Sequence, residues 1–268
     1  MADKKRDWFE NETFWAQYSP ILFDAQRWAE APSVAEGVLR IIGAPSKDLH
    51  NEQQRTDNGE PTTGLSILDA GCGPGRISVE LAMRGAQVTG VDIIRPFLNA
   101  ALESAEDEGV KLDLVQADLR TFVRPEAYDA AVSLYTSFGY CDTIEEDMQI
   151  LKNIAASVKK GGWFVLEMTG REIAVRDFTE GEWFERGGFT VLTEFSVVGA
   201  WEGLQSRWIL IDEAGHKLDH VFVQRLYSAV ELRRLLIASG FLSVEIYGDF
   251  DFSPYNEKAR TMVLVARK

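Results

Sequence analysis

The sequence predicts an α/β fold built on a mostly parallel sheet, and three observations carry that prediction. The stretch Leu65-Ser-Ile-Leu-Asp-Ala-Gly-Cys-Gly-Pro-Gly-Arg76 joins a short apolar run to an acid, three glycines at alternate positions and a helical pattern. Such a stretch is a buried strand turning tightly into a helix N-terminus. Beyond it, apolar runs of strand length alternate with amphipathic helical stretches as far as Met168, the rhythm of βαβ units. From Thr169 to Leu226 the period changes to two, and glycine turns separate what read as antiparallel strands.

The glycine stretch decides which ligands are candidates. Its alternate glycines allow a close approach of backbone to ligand, and the unpaired N–H groups of the following helix favour a carboxylate or phosphate. A dinucleotide fingerprint needs a third glycine where this chain has Arg76. Asp69, two residues before Gly71, would repel a pyrophosphate but suits an ammonium group. A ligand with an amino-acid end and a nucleoside end meets both conditions, and S-adenosylmethionine is such a ligand.

Ile67-Leu-Asp-Ala-Gly-Cys-Gly-Pro-Gly75 resembles motif I of the class I S-adenosylmethionine-dependent methyltransferases of the small-molecule type. Trp163–Met168 reads as a fifth, buried strand, and Val158-Lys-Lys-Gly-Gly-Trp-Phe-Val-Leu-Glu167 is similar to the family's post-helix segment, with Lys160 in place of a proline. The resemblance is close over residues 65–168 and looser elsewhere, resting there on strand count and order. It implies a seven-stranded sheet in the order 3-2-1-4-5-7-6, flanked by helices. It also implies S-adenosylmethionine as cofactor, S-adenosylhomocysteine as product, and in-line methyl transfer to O, N or C of a small-molecule acceptor. In this reading Asp69, Gly71, Cys72, Gly73, Gly75 and Arg76 hold the methionine end. Asp92, 21 residues after Gly71 and followed by Ile93, takes the ribose hydroxyls. That spacing alone would serve a nicotinamide cofactor too. Gln116-Ala-Asp-Leu119 places Ala117, Asp118 and Leu119 at the adenine.

The other elements follow in order. Residues 7–29 are rich in aromatics and read as one or two amphipathic helices interrupted near Pro20. Phe14-Trp-Ala-Gln-Tyr-Ser-Pro20 looks like the family's N-terminal lid, which brings Trp15 and Tyr18 to the methionine end or the acceptor. A further helix is expected from Pro32, and the polar stretch Gly43–Gly64 reads as a mobile surface loop with a solvated His50. A fourth strand over 128–134 leads into a loop, Leu134 to Cys141, that lines the crevice where strand order reverses. Leu134 is a cofactor candidate there, and Tyr140 a catalytic one. The Asn/Asp-Pro-Pro-Tyr tetrad of nucleic-acid amino-methyltransferases is absent from this loop. Thr143–Glu146 and Ser228–Glu231 are capping boxes, with Glu145, Glu146 and Asp147 expected as solvated acids. The inserted meander has three expected strands, at 189–198, 204–211 and 218–226, and either caps the acceptor or forms a homodimer surface. His220 in it is a candidate general base, or a histidine on the outer face of a sheet. With Tyr18 and Tyr140 it completes the catalytic candidates. An antiparallel pair at 241–247 and 259–266 closes the chain.

Composition narrows the partners. A chain of 268 residues, 46% hydrophobic and 26% charged, is long enough for one domain with an insertion. The expected organisation is one methyltransferase domain over 1–268, with a helical lid at 1–30, a cofactor-binding core at 65–168 and an antiparallel insertion at 170–226. A net charge of −14 repels polyanions, so nucleic acid is not an expected partner. No apolar run is long enough for a bilayer, and no metal-ligand spacing occurs. Two cysteines, Cys72 and Cys141, suit a reducing cytoplasm. Two alternatives remain open at this point: a nicotinamide-dependent oxidoreductase, and a non-catalytic protein that binds S-adenosylmethionine.

Overall fold

The computed structural model describes residues 7–43 and 64–268. The polar stretch with His50 lies outside the described residues. At the N-terminal side a 3-10 turn, Trp8–Glu10, precedes α1 (Glu12–Leu22) and α2 (Ala25–Gly43). Here the prolines behave differently from expectation. Pro20 sits inside the last turns of α1, and Pro32 lies within a continuous α2. The chain breaks instead at Phe23–Asp24, where the Asp24 side chain accepts the Arg27 N–H at 2.9 Å. Burial of Ala31, Val34, Ala35, Val38 and Ile41 against the sheet outweighs the helix hydrogen bond that Pro32 forfeits. Arg76 Nη1 donates to the Arg27 carbonyl at 2.5 Å, which ties the first turns of α2 to the helix that Arg76 opens.

The core alternates as the apolar pattern requires: β1 (Ser66–Ala70), α3 (Arg76–Met83), β2 (Gln87–Asp92), α4 (Arg95–Asp107), β3 (Leu112–Gln116), β4 (Tyr128–Ser133), α5 (Ile144–Ser157) and β5 (Val158–Met168). After α6 (Arg171–Arg176) come β6 (Gly181–Arg186), β7 (Phe189–Val198), β8 (Gly203–Asp212) and β9 (Lys217–Arg225). The chain ends with α7 (Ala229–Ala238), β10 (Ser243–Tyr247) and β11 (Met262–Arg267). The main sheet runs β3-β2-β1-β4-β5-β11-β10. Numbered as core strands this is 3-2-1-4-5-7-6, the expected order. β1 pairs in parallel with β2 on one side and β4 on the other, in the register Leu68↔Thr89 and Leu68↔Ala131. β11 is antiparallel to both β5 and β10. The order in which strands are added across the sheet therefore reverses at β1, with β2 and β3 on one side and β4 on the other, and the crevice at this reversal lies beyond the carboxyl ends of the strands.

Both capping boxes form. β5 begins at Val158 instead of Trp163, because Val158 pairs with Tyr128 before a bulge resets the register at Ala130. The insertion is a sheet of four strands, β6-β7-β8-β9, one more than expected. Its added strand, β6, is an edge strand whose Trp183 is 71% exposed, so it lacks the inward alternation that marks a half-buried strand. Val191 and Leu210 of this sheet join Phe14, Tyr18 and Ile21 of α1 in one small apolar cluster. The N-terminal helix and the insertion thus share a core.

One acid departs from expectation. Asp147 in the first turn of α5 is fully buried, accepting the Tyr227 hydroxyl at 2.7 Å and Arg225 Nε at 3.2 Å. Burial raises its pKa, and the Tyr227 and Arg225 contacts oppose that shift. Arg225 also donates to the carbonyls of Cys141 and Asp142, which ties the end of the insertion to the loop after β4. Among the described residues, no helix is long and apolar enough to cross a membrane.

Candidate active site

A cavity of about 550 Å³ opens at the carboxyl ends of the central strands, beneath α1 and the insertion. One wall is the glycine loop between β1 and α3. The N–H groups of Gly71 and Cys72 both donate to the Val91 carbonyl, at 2.8 and 3.1 Å. Gly71 has φ +80°, and a Cβ there would lie 2.8 Å from Ser137 Cβ. Only glycine fits both conditions. The carboxylate of Asp92 straps the loop down, accepting the Gly73 N–H at 2.8 Å and the Ile94 N–H at 2.9 Å. Burial raises its pKa and these backbone bonds lower it.

Two more charges line this wall. Asp69 is 3% exposed and accepts the Ser78 hydroxyl at 2.6 Å. Burial pushes its carboxyl up to about 6, with Asp92 adding and Ser78 and Arg76 opposing. Arg76 is 5% exposed, lies over the Tyr135 ring at 4.2 Å and has no carboxylate in ion-pair reach among the described residues. A buried cation without a counter-ion is costly unless something supplies one. Burial lowers its pKa accordingly.

The floor is the loop after β4. Tyr135 and Thr136 take φ of 54° and 61°, a strained backbone for non-glycine residues. Glu167 at the end of β5 holds this loop. Its carboxylate accepts the Tyr135 N–H at 2.7 Å and the Thr261 hydroxyl, and its carbonyl accepts the Thr136 N–H at 3.3 Å. At the far end, Asp118 accepts the backbone N–H of Arg120 at 2.8 Å and its Nε at 2.8 Å.

The opposite wall is aromatic. Trp8 stacks on Phe222 at 4.6 Å between ring centroids and meets the edge of Tyr140 at 4.9 Å. Phe14, Trp15 and Trp208 extend this wall. Burial pushes the Tyr140 hydroxyl up to about 12. A cationic or apolar group is favoured against such faces.

Comparison with known proteins gives this geometry a family. Residues 67–162, from β1 into β5, match the methyltransferase domain family. The cypemycin N-terminal methyltransferase of a Streptomyces species is 25% identical over 225 residues, spanning 78% of this chain and 85% of that protein. Residues 67–162 thus carry a methyltransferase domain, on a fold shared with S-adenosylmethionine-dependent methyltransferases. The ubiquinone biosynthesis O-methyltransferase of Rickettsia canadensis is 28% identical over 135 residues, which is 50% of this chain and 55% of that protein. The chain thus spans about half the length of that relative. The sugar N-methyltransferase KedS8 from Streptoalloteichus shares the fold, with a TM-score of 0.65 and 19% identity over 100% of this chain and 96% of that one.

Of the residues expected at the site of this methyltransferase, the cavity brings together Asp69, Gly71, Cys72, Gly73, Arg76, Asp92, Ile93, Ala117, Asp118, Leu119, Leu134, Trp15, Tyr18 and Tyr140. Gly75 and His220 are not on its wall. Gly75 instead lets α3 approach α4, since a Cβ there would lie 2.5 Å from Ala101 Cβ. His220 packs edge-on against Phe14 and Tyr18, at 5.2 Å from each, with Nε2 3.3 Å from Gln17 Oε1. Burial lowers its pKa, so it is neutral at pH 7. Tyr18 presents its ring to the cavity, but its hydroxyl donates to the Trp208 carbonyl at 2.8 Å, and burial raises its pKa well above the usual phenol range. Neither group is placed to take a proton from an acceptor. His220→Gln is therefore expected to leave kcat within about twofold of wild type in a methyl-transfer assay, whereas loss of a general base would cost roughly 100-fold or more.

Four residues on the cavity wall escape sequence reasoning. Trp8 and Phe222 meet from opposite ends of the chain and carry no local signal. Arg120 had only the hint of a cation two residues after Asp118. Glu167 had the clearest one, an acid closing an otherwise apolar buried strand.

Proposed function

We propose that the enzyme methylates a small-molecule amine held between the glycine-loop wall and the aromatic wall. The observation that carries this reading is that one cavity joins the loop, Asp69 and Asp92 to the ring cluster of Trp8, Tyr140 and Phe222. Its volume falls in the range of about 300–1,000 Å³ common for small-molecule sites.

The donor set fits the cofactor. Arg76, buried with no carboxylate in ion-pair reach among the described residues, suits the methionine carboxylate, and Asp69 suits the ammonium. Asp92 has lone pairs left for the ribose hydroxyls after accepting two N–H groups, and Ala117, Asp118 and Leu119 suit the adenine. When bound, S-adenosylmethionine supplies an electrophilic methyl group on a sulfonium. The chain's part is to hold the acceptor in line with that methyl and to keep water out. The faces of Tyr140 and Trp8 stabilise positive charge there.

The groups that line the cavity favour nitrogen as the acceptor atom. No histidine lines it among the described residues, the Tyr18 hydroxyl is spent, Tyr140 is pushed up to about 12, and the Glu167 carboxylate already accepts the Tyr135 N–H and the Thr261 hydroxyl. An alcohol needs its proton taken up in or before the transition state, whereas a neutral amine attacks first as an ammonium forms and sheds that proton to water afterwards. Two of the similar proteins are named for N-terminal and for sugar N-methylation, which supports nitrogen as the acceptor atom. The cytoplasm is the compartment we assign, supported by two buried, unpaired cysteines.

Calorimetric titration with S-adenosylmethionine and, separately, NADH tests the cofactor assignment. Micromolar binding of the first and none of the second is expected; the reverse would return the site to the dinucleotide class. Matched amine and alcohol acceptors, followed by S-adenosylhomocysteine release, then test the acceptor class, with turnover expected for the amines. Binding should also depend on pH. In the empty site the Asp69 carboxyl, raised to about 6, takes up a proton below that pH. An ammonium partner favours the ionised form, so binding must expel that proton. The dissociation constant for S-adenosylmethionine is expected to rise about tenfold per pH unit below pH 6 and to stay flat above pH 7.

A further inference from the structure

One cation draws together parts of the chain that the cofactor assignment leaves unconnected. The Arg120 side chain is 12% exposed and reaches four carboxylates: Asp7 at 2.7 Å, Glu10 at 3.0 Å, Asp118 at 2.7 Å and Glu146 at 3.2 Å. The Phe9 ring covers its guanidinium at 5.3 Å. Asp7 and Glu10 bracket Trp8 and Phe9, both of which line the cavity. Trp8 buries an indole N–H with no partner, so the segment is not seated there by that group. The two ion pairs to Arg120, the Trp15 indole N–H donated to the Phe9 carbonyl at 2.8 Å and the aromatic contacts of Trp8 hold it, and of these the ion pairs are the part that salt weakens. Asp118, on the other side of the same guanidinium, sits at the end of the cavity assigned to adenine.

We propose that Arg120 is a positioning residue coupling the adenine end of the site to the N-terminal segment, so that the segment Asp7–Glu10 is latched shut over a bound cofactor. The inference rests on the cofactor reading above. Because Arg120 grips Asp118 and the latch acids at once, whatever orders Asp118 also orders Arg120. Ordering Arg120 in turn fixes Trp8 in the aromatic wall that faces the acceptor. The cofactor then has to bind first, and it leaves only after the ion pairs to Asp7 and Glu10 open. Partly exposed ion pairs are screened by salt, so the release rate acquires a salt dependence that a purely apolar cover would not have.

The test is stopped-flow release of S-adenosylhomocysteine from the full chain, read by tryptophan fluorescence, at low and high sodium chloride. Wild type is expected to release the product at least fivefold faster at 1 M than at 0.05 M salt. Asp7→Asn with Glu10→Gln, which leaves Asp118 and Arg120 intact, should release about tenfold faster than wild type at low salt and show little salt dependence. Arg120→Ala should match or exceed that rate, and Arg120→Lys should recover part of the difference. If the double variant releases product like wild type while Arg120→Ala is fast, Arg120 serves Asp118 alone and the latch is wrong. Salt-independent wild-type release would also overturn it. Should Arg120→Ala fail to fold, the double variant still decides. Failure of wild type to bind S-adenosylhomocysteine at all would instead contradict the cofactor reading.

Discussion

Asp92→Ala is expected to weaken S-adenosylmethionine binding by about 100-fold, measured by calorimetric titration at pH 7.5. The carboxylate has two tasks. It accepts the N–H groups of Gly73 and Ile94, which fixes the glycine loop against the turn after β2, and in the proposed function its remaining lone pairs take the ribose. Charge-assisted hydrogen bonds contribute about 1.5–3 kcal/mol each. A total loss near 3 kcal/mol corresponds to roughly two orders of magnitude in affinity. Asp92→Asn keeps one oxygen to accept an N–H and should lose only about tenfold. Equal losses in the two variants would mean that charge alone matters and the strap does not.

Gly75→Ala is expected to act on stability and not on the cofactor. At φ +80° an added side chain is strained, and its Cβ would sit 2.5 Å from that of Ala101, itself fully buried on α4. Left-handed backbone costs about 1–2 kcal/mol and overpacking about 1–3 kcal/mol. A loss near 3 kcal/mol would lower Tm on the order of 10 °C in a chain of this size. Because Gly75 is not on the cavity wall, the folded variant should bind S-adenosylmethionine within about threefold of wild type. An unchanged Tm with lost binding would make Gly75 a cofactor contact after all.

These two residues show what the sequence can and cannot reveal. Gly75 and Asp92 stand within one contiguous signal, strand–glycine turn–helix–strand, and local periodicity with turn chemistry was enough to order β1 to β5. The resemblance supplied the strand order that periodicity alone leaves open. Both capping boxes were legible because each is complete within four residues. What stayed hidden depends on contacts distant in sequence. Pro32 reads as a helix start because local rules put it there, yet burial of the α2 face against the sheet carries the helix through it. Asp147 reads as a solvated first-turn acid until β9 returns and presents Arg225 and Tyr227 to it. The aromatic wall is the clearest case. Trp8 and Phe222 lie at opposite ends of the chain, and only the shared core of α1 with the insertion brings them together. Tyr18 and His220 sit in or beside that core, which is why side chains able to transfer protons serve packing there.

The central claim is that this single cavity holds the cofactor on the glycine-loop wall and leaves the aromatic wall for the acceptor. A crystal structure of the enzyme with S-adenosylhomocysteine tests it most directly. The predicted result places the ribose hydroxyls on Asp92, the adenine beside Asp118 and Leu119, the carboxylate on Arg76, and the sulfur facing Tyr140 and Trp8. A product bound with its adenine against the aromatic wall, or outside the cavity, would contradict it.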